Sequence, residues 1–258
     1  MKFIDITMAL YEGMGCGNVF PQESSFKVED IYTFEKNRLR LVRICMFQEP
    51  GTRLMLRSII SDYRNGTKID ELPLEETVMV NACIIDMPIP AEHAISAQEI
   101  EEAVGSSPIQ HGDAMLFHTG WGDHQRYLEM GDDYPLKGPW FTIEACDKII
   151  ETGKRYDSKI FGYDTANVMP YDRLKDWWER KPRPENFPSR EAKEYLETVG
   201  IRDPEKSGAL RILASGMAML GGIVNLGEAT KKRVKLVALP LKLKGLGGGP
   251  VRAILLEE

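Results

Sequence analysis

The sequence contains no apolar run close to the ~20 residues that a membrane-spanning helix needs. It has no surplus of basic residues either, since 33 Lys and Arg are outnumbered by 39 Asp and Glu and the net charge is -6. Nucleic-acid-binding domains usually carry a basic surplus or a basic stripe. We therefore expect that neither a membrane nor a nucleic acid is a partner of this chain.

Cysteine is scarce, because the chain has only 4, widely spaced and without a Cys-x-x-Cys pair. In a chain of 258 residues this usage is typical of free thiols in a reducing cytoplasm, so we expect a cytoplasmic protein. Cys45 and Cys83 lie inside apolar, strand-like runs and are interpreted as small core residues. Cys16 lies in a glycine-rich segment that we interpret as a loop. It is either an ordinary loop residue or, if a base lies next to it, a nucleophile.

The rest of the composition is that of a soluble globular protein, with 43% apolar and 28% charged residues. Apolar strand patterns such as KFIDIT and VNACIIDM alternate with helices whose N-termini are marked by Ser96 and Thr142. This mixture predicts the α/β class, with α+β as the alternative. We expect one compact domain over residues 1–258, in which Arg173 to Pro188 form a surface excursion or a lid.

Six short motifs follow one another along the chain. They are a Gly-Thr pair after a strand (Gly51–Thr52), GTKIDELPLE (Gly66–Glu75), FHTGW (Phe117–Trp121), FGYDT (Phe161–Thr165), LRILASGM (Leu210–Met217) and LPLKLKGLGGGPVRAI near the C-terminus. In this order they resemble the metal-dependent cyclase family, which includes bacterial kynurenine formamidases and isatin hydrolases. The resemblance runs from about residue 3 to the C-terminus. It implies that family's swivelling β/α/β-type fold, a small-molecule substrate, and a homodimer or homotetramer.

The family's signature, His-x-Gly-Thr-His-x-Asp-x-Pro-x-His, holds one or two divalent metals that activate water. Aligned on Gly51–Thr52, this sequence differs at every other conserved position of the signature, which are occupied by Glu49, Arg53, Met55, Arg57 and Ile59. Further along, where the family usually has a His and a Glu, the aligned residues are Leu210 and Gly221. Glu49 is thus the one possible ligand left in the aligned set.

These replacements decide against the family's metal. A thioether such as that of Met55 is a poor ligand for a hard divalent cation, and the isoleucine side chain has no donor atom. The guanidinium of Arg53 has no lone pair to offer, and it brings a positive charge to the place of the cation. We therefore expect that this chain uses neither the metal nor another cofactor.

The polar residues of the altered turn predict a substitute chemistry. In an extended segment Arg53 and Arg57 share one face, where two guanidiniums can clamp a carboxylate or stabilise an oxyanion. Glu49 beside them can act as a general base or acid, and Thr52 is placed to contact substrate. The alternative is that Glu49 and Arg53 form an ion pair in a repacked pocket, filled by apolar residues such as Met55.

Other candidate residues lie in the later motifs. The resemblance predicts that Trp121 and Asp164 contact the substrate, while in a purely structural reading Trp121 is core and Asp164 ends a strand. His118, His124, Asp123 and Asp164 are a candidate set for a relocated metal site, although ordinary strand and loop histidines explain the same residues.

Three functional hypotheses remain open on these residues. The first is a metal-independent, hydrolase-like enzyme for a small amide, lactone or carboxylate-bearing substrate, in which Glu49 moves a proton and Arg53 polarises the substrate. Dehydration and isomerisation need the same groups, and hydrolysis is preferred only through the family resemblance. The second is a non-catalytic member that binds a ligand or serves as a scaffold. The third is a hydrolase with a relocated metal.

Overall fold

The structure, a computed structural model, describes residues 1–12, 14, 26–60, 66–131, 133–168 and 207–257. Its strands are β1 (Lys2–Asp5), β2 (Lys27–Tyr32), β3 (Leu41–Cys45), β4 (Arg53–Met55), β5 (Val80–Asp86), β6 (Ala94–Ile95), β7 (Ala114–His118), β8 (Trp140–Phe141), β9 (Ile160–Tyr163), β10 (Ala218–Gly221), β11 (Arg233–Pro240) and β12 (Gly248–Glu257). Its helices are α1 (Phe34–Asn37), α2 (Ala97–Ser106), α3 (Arg126–Met130), α4 (Asp133–Lys137), α5 (Ile143–Tyr156) and α6 (Gly208–Ala214). None of the helices in these ranges is long and apolar enough to span a membrane.

Seven strands of the described chain close into a barrel. Around it they follow the order β4, β10, β9, β7, β5, β11 and β12, and β12 pairs with β4 to complete the ring. The four strands β5, β7, β9 and β10 run parallel, as expected where helices connect them. β1 adds to the outer edge of β12. The predicted α/β class and the family fold are confirmed.

Side chains alternate between the two faces of the barrel wall because successive residues of a strand point to opposite sides. On β7, Ala114 and Leu116 belong to the inner apolar cluster, whereas Met115 and Phe117 belong to the outer one. Gly162 on the neighbouring β9 faces Leu116, whose side chain occupies the space that a Cβ at residue 162 would need. The inner cluster is therefore closely filled.

The outer face is covered by α2, α5 and α6, which pack on the second apolar cluster. The predicted starts of α2 and α5 are confirmed. Ser96 accepts a hydrogen bond from the backbone N–H of Glu99 in a capping box, and Thr142 accepts one from Ala145. The helices hold the parallel strands from one side, so the loops at the strand ends remain at the rim of the barrel.

The prediction that Cys45 is a core residue needs correction. The run from Leu39 to Phe47 does contain a strand, β3, but this strand pairs with β2 in a separate ribbon and Cys45 is exposed. Cys83, in contrast, is buried as predicted. The glycine-rich segment before the C-terminus is not all loop, because Gly248 begins β12. Arg173 to Pro188 and Cys16 lie outside the described residues.

Candidate functional site

The C-terminal ends of parallel strands meet at one rim of the barrel, where α/β folds commonly place their sites. β7 ends at His118, β9 at Tyr163 and β10 at Gly221, and these strands are neighbours. Arg53 on β4 pairs with Gly221, which brings the Gly51–Thr52 turn to the same rim. Two polar centres form there, one around Glu49 and Arg53 and one around His118.

The side chain of Thr52 holds the turn in place through hydrogen bonds to two distant segments. Its buried hydroxyl donates to the carbonyl of Gly222 at 2.6 Å and accepts the backbone N–H of Met8 at 2.8 Å. Gly51 precedes it with a φ of 57°, in the left-handed region that favours glycine. The predicted substrate contact by Thr52 would have to break these bonds, so its hydroxyl holds the turn together instead.

Arg53 is only 3% exposed and joins its own turn to the segment after β9. Its Nη1 donates to the carbonyl of Gly51 at 2.9 Å and its Nη2 to the carbonyl of Ala166 at 3.2 Å. A buried cation of this kind is tolerated because its N–H groups find oxygen partners. Its charge is felt by Glu49 and by Tyr163, and in both it opposes the rise in pKa that burial causes.

Glu49 lies just before the turn and is partly buried. Its Oε1 accepts a hydrogen bond from the Gln48 side chain at 3.1 Å, and a Cβ at residue 248 would lie 2.9 Å from the same oxygen. Burial raises the pKa of the Glu49 carboxyl above its ordinary value, while the Arg53 charge and the Gln48 hydrogen bond lower it. Among the described residues no direct ion pair joins Glu49 to Arg53, so the carboxylate is not locked onto the guanidinium.

The residues at the family's metal positions do not fit a divalent cation. Met55 packs in the outer apolar cluster, and Ile59 packs against the same cluster. The hydroxyl of Tyr163 occupies the space beside Gly221 that a side chain there would need. A phenol, a thioether and a guanidinium have thus replaced the ligand set, and we derive no step through a metal. In the described ranges no three His, Cys, Asp or Glu side chains are grouped as a metal site.

Arg57 is not part of this centre. The strand ends at Met55, and Arg57 begins a 3-10 helix in which it is exposed. It lines a different cavity, of about 580 Å³, together with Glu71 and Lys159. The prediction that Arg53 and Arg57 share one strand face is therefore wrong, because the chain leaves the extended conformation after Leu56.

The second centre is built around the buried carboxylate of Asp164 and the imidazole of His118. Asp164, directly after β9, is completely buried and accepts hydrogen bonds from the Thr119 hydroxyl at 2.6 Å and from the Gly120 N–H at 2.9 Å. Burial raises the pKa of Asp164, and its hydrogen bonds with Thr119 oppose that rise. The Asp164 carboxylate holds the loop after β7 through these bonds. Its predicted contact with substrate stays a prediction.

His118 is held between two carboxylates. Its Nδ1 lies 2.8 Å from Asp86 Oδ1, its Nε2 lies 2.7 Å from Asp123 Oδ2, and Lys232 pairs with the other oxygen of Asp86 at 2.5 Å. Although burial opposes protonation, the carboxylates raise the pKa of His118 to about 9. Both ring nitrogens are engaged, so the imidazole is placed as a cationic link between loops rather than as a metal ligand.

A cavity of about 570 Å³ opens next to this histidine network. It is lined by Asp123, His124, Glu129 and Glu228, among others.

Trp121 packs in the protein core: its Nε1 donates to the Tyr134 carbonyl at 3.1 Å and its ring stacks on the Tyr134 ring. Trp121 is therefore core packing at this position, and its predicted substrate contact stays a prediction.

Asn167 is a residue that sequence reasoning missed. It is 5% exposed, yet among the described residues neither its Oδ1 nor its Nδ2 has a hydrogen-bond partner. It follows Ala166, whose carbonyl accepts from Arg53. A buried amide without partners is rare and costly in a folded protein. No sequence signal marks it, because an asparagine after a strand is most often a turn residue.

The closed barrel, its helical cover and the polar residues at the ends of its parallel strands define the class of α/β proteins with a swivelling β/α/β-type fold. The sequence model of the Cyclase family matches residues 4–169, and the chain belongs to that family. None of the curated proteins is significantly similar to it.

Solved structures agree with this assignment at the level of the fold. The chain is similar to isatin hydrolase A from Ralstonia solanacearum, with 18% identity and a TM-score of 0.69 over 99% of this chain and 92% of that one. Isatin hydrolase A from Labrenzia aggregata is 20% identical, with a TM-score of 0.67 over 100% of this chain and 94% of that one. A predicted metal-dependent hydrolase from Bacillus stearothermophilus is 19% identical, with a TM-score of 0.63 over 98% of this chain and 97% of that one.

Proposed function

We propose that this protein is a hydrolase-like enzyme of the Cyclase family that opens a small amide or lactone without the family's divalent metal. The observation that carries the proposal is the Glu49 carboxylate, which is desolvated, has a raised pKa and lies in the field of the buried Arg53 cation. A carboxyl group with a raised pKa can accept a proton and return it within one reaction cycle.

In the proposed reaction, Glu49 removes a proton from a water molecule as the water oxygen attacks the substrate carbonyl carbon. The carbonyl π electrons move to the oxygen, which the charge of Arg53 stabilises. When the C–N or C–O bond breaks, Glu49 returns the proton to the leaving nitrogen or oxygen. The products are a carboxylic acid and an amine or alcohol, and no other reactant is needed.

Two further residues support a carbonyl substrate at this centre. The unpartnered Asn167 amide offers one donor group and one acceptor in a buried position, which complements the N–H and C=O of an amide or the oxygens of a lactone. Thr52 contributes by pinning the turn that carries Arg53. The buried and exposed free thiols of Cys83, Cys146 and Cys45 fit a reducing cytoplasm as the place of action.

A specific observation favours a second candidate, a ligand-binding member without catalysis. Met55 packs into the core, and the Tyr163 hydroxyl fills the space beside Gly221, which is how an abandoned site would be repacked. A dehydratase or isomerase would use the same Glu49 base and differ only in the substrate. Turnover of a carbonyl compound separates an enzyme from the ligand-binding candidate, and the identity of the product separates hydrolysis from dehydration or isomerisation.

The test is a hydrolysis assay of the full, untagged chain with isatin, an N-formyl arylamine and a small lactone, each with and without a chelator. We expect turnover of at least one compound, at a rate that the chelator leaves unchanged, because no step passes through a metal. Turnover lost to the chelator and restored by zinc or manganese would contradict the metal-independent mechanism. Binding without turnover of any compound would favour the non-catalytic candidate.

A further inference from the structure

Three neighbouring strands place Arg53, Gly221 and Tyr163 in one row at the rim of the barrel. The register pairs Gly221 of β10 with Arg53 of β4 on one side and with Tyr163 of β9 on the other. Residues that are paired in this way point to the same face of a sheet. Because Gly221 has no side chain, the Tyr163 hydroxyl reaches over it and occupies the space of a Cβ there.

Glu49 approaches the same face from the neighbouring strand β12. Met55 lies two residues after Arg53, thus on the same face of β4, and it pairs with Gly248. The Glu49 Oε1 lies 2.9 Å from the place of a Cβ at residue 248. Burial raises the pKa of Tyr163, the Arg53 charge lowers it and the Glu49 charge raises it, so the three polar groups lie within one another's fields.

The Tyr163 hydroxyl carries a proton that no described residue accepts. Tyr163 is 1% exposed, and its hydroxyl donates no hydrogen bond within the described chain. Arg53 contributes a hydrogen bond to it, in which the guanidinium can only be the donor. A buried O–H without an acceptor costs free energy, which a phenylalanine at this position would avoid. Packing alone therefore does not account for the hydroxyl.

We propose that Tyr163 is a catalytic residue of the reaction proposed above, in which its O–H donates a hydrogen bond to the carbonyl oxygen of the substrate. This inference rests on the proposed function. When the water oxygen attacks the carbonyl carbon, the π electrons move to the carbonyl oxygen, and the Tyr163 O–H stabilises the negative charge that develops there.

The two groups of the row divide this task. The Nη1 and Nη2 atoms of Arg53 already donate to the carbonyls of Gly51 and Ala166, so Arg53 supplies charge and Tyr163 supplies the direct bond. A hydrogen bond from a cation to the phenol oxygen also makes the phenol O–H a stronger donor. Burial raises the pKa of Tyr163, so the phenol keeps its proton throughout the reaction and Glu49 alone transfers one.

Tyr163→Phe tests this role, because the ring stays and only the hydroxyl is removed. We expect kcat for a hydrolysed compound to fall by about 100- to 1000-fold, as for other donors to an oxyanion, with little change in KM. The melting temperature should be equal or higher, since the ring keeps its stacking on Phe161 at 5.2 Å between centroids. Tyr156→Phe, partly buried at the end of α5, is the matched control and should keep the wild-type kcat.

A kcat of Tyr163→Phe within threefold of the wild type overturns the role of the hydroxyl and leaves hydrolysis through Glu49 intact. Should Tyr163→Phe not fold, Gly221→Ala takes its place, because the added methyl group occupies the space of the hydroxyl. Its kcat is expected to fall as well, and an unchanged kcat contradicts the proposal in the same way.

If the wild type hydrolyses no compound, the proposed function fails and calorimetric titration with benzoate decides about Tyr163. The benzoate carboxylate offers an anionic oxygen like that of the reacting carbonyl. We expect the wild type to bind benzoate and Tyr163→Phe to bind it at least about tenfold more weakly, because a hydrogen bond to a charged acceptor is lost. Equal affinities, or no binding by the wild type, overturn the inference.

Discussion

Glu49→Gln is expected to lower kcat/KM for a hydrolysed carbonyl substrate by about 100- to 10,000-fold, which is the usual contribution of general acid–base catalysis. Glutamine keeps the shape of the side chain and can keep the contact with Gln48, but it cannot accept the proton of the attacking water. KM should change little, because the loss falls on the transition state. The measurement is steady-state hydrolysis with whichever compound the wild type turns over.

Stability is the control for this variant. Since burial disfavours the charged form of Glu49, a neutral glutamine should leave the melting temperature equal or slightly higher. Glu75→Gln, an exposed carboxyl on a separate 3-10 helix, should retain full activity. Activity of Glu49→Gln within tenfold of the wild type would show that Glu49 does not transfer the proton.

The free energy of unfolding is expected to fall by about 3 kcal/mol as the pH rises from 6.5 through about 9, because of His118. The folded pKa of His118 lies above its ordinary value, so the protonated form stabilises the fold fully below pH 6.5 and loses this effect as the pH passes about 9. Burial lowers the pKa of His118, whereas Asp123, Asp86 and Asp164 raise it by more. Urea unfolding at a series of pH values measures the slope.

Two variants separate this effect from other titrations. His118→Gln should flatten the pH dependence between pH 6.5 and 9. His93→Gln should leave the slope unchanged, since His93 is more exposed and contacts the single carboxylate of Glu99. If His118→Gln does not fold, His93→Gln still tests the link, because it keeps His118. Its free energy of unfolding should then fall between pH 6.5 and 9 as that of the wild type does. Equal stability at both ends of the range would contradict the link through His118.

Much of the fold follows from local sequence patterns. The strand from Val80 to Asp86 and the helix capped by Ser96 are confirmed, because apolar runs and capping boxes act over a few residues. The glycine–threonine turn is also where the motif predicts it, with Gly51 at a positive φ. These features need no knowledge of distant segments.

The site was harder to predict because its geometry depends on contacts between distant segments. The Tyr163 hydroxyl fills the space beside Gly221, and the two residues become neighbours only through the pairing of β9 with β10. His118 meets Asp86 because the register of β5 and β7 places them opposite each other. Arg57 leaves the strand face because the N–H of Ile59 bonds to the Leu56 carbonyl, which turns the chain into a 3-10 helix at Arg57.

The proposed function of the altered turn depends on one chemical change, the replacement of a metal by a buried cation and a carboxyl group. Arg53 occupies the rim with its charge bound by two carbonyls, and Glu49 keeps a carboxylate beside it without a direct ion pair. In the proposed reaction, proton transfer by Glu49 takes the part that a metal-bound water would otherwise have. The rest of the rim, including the His118 network, holds the loops in place.

Elemental analysis of the purified, untagged protein before and after dialysis against a chelator tests this account most directly. We expect no stoichiometric divalent metal in either sample, because Arg53, Met55 and Ile59 stand at the ligand positions. Stoichiometric zinc or manganese that the chelator removes would contradict it, and would direct attention to His118, Asp123 and Asp86 as the ligands.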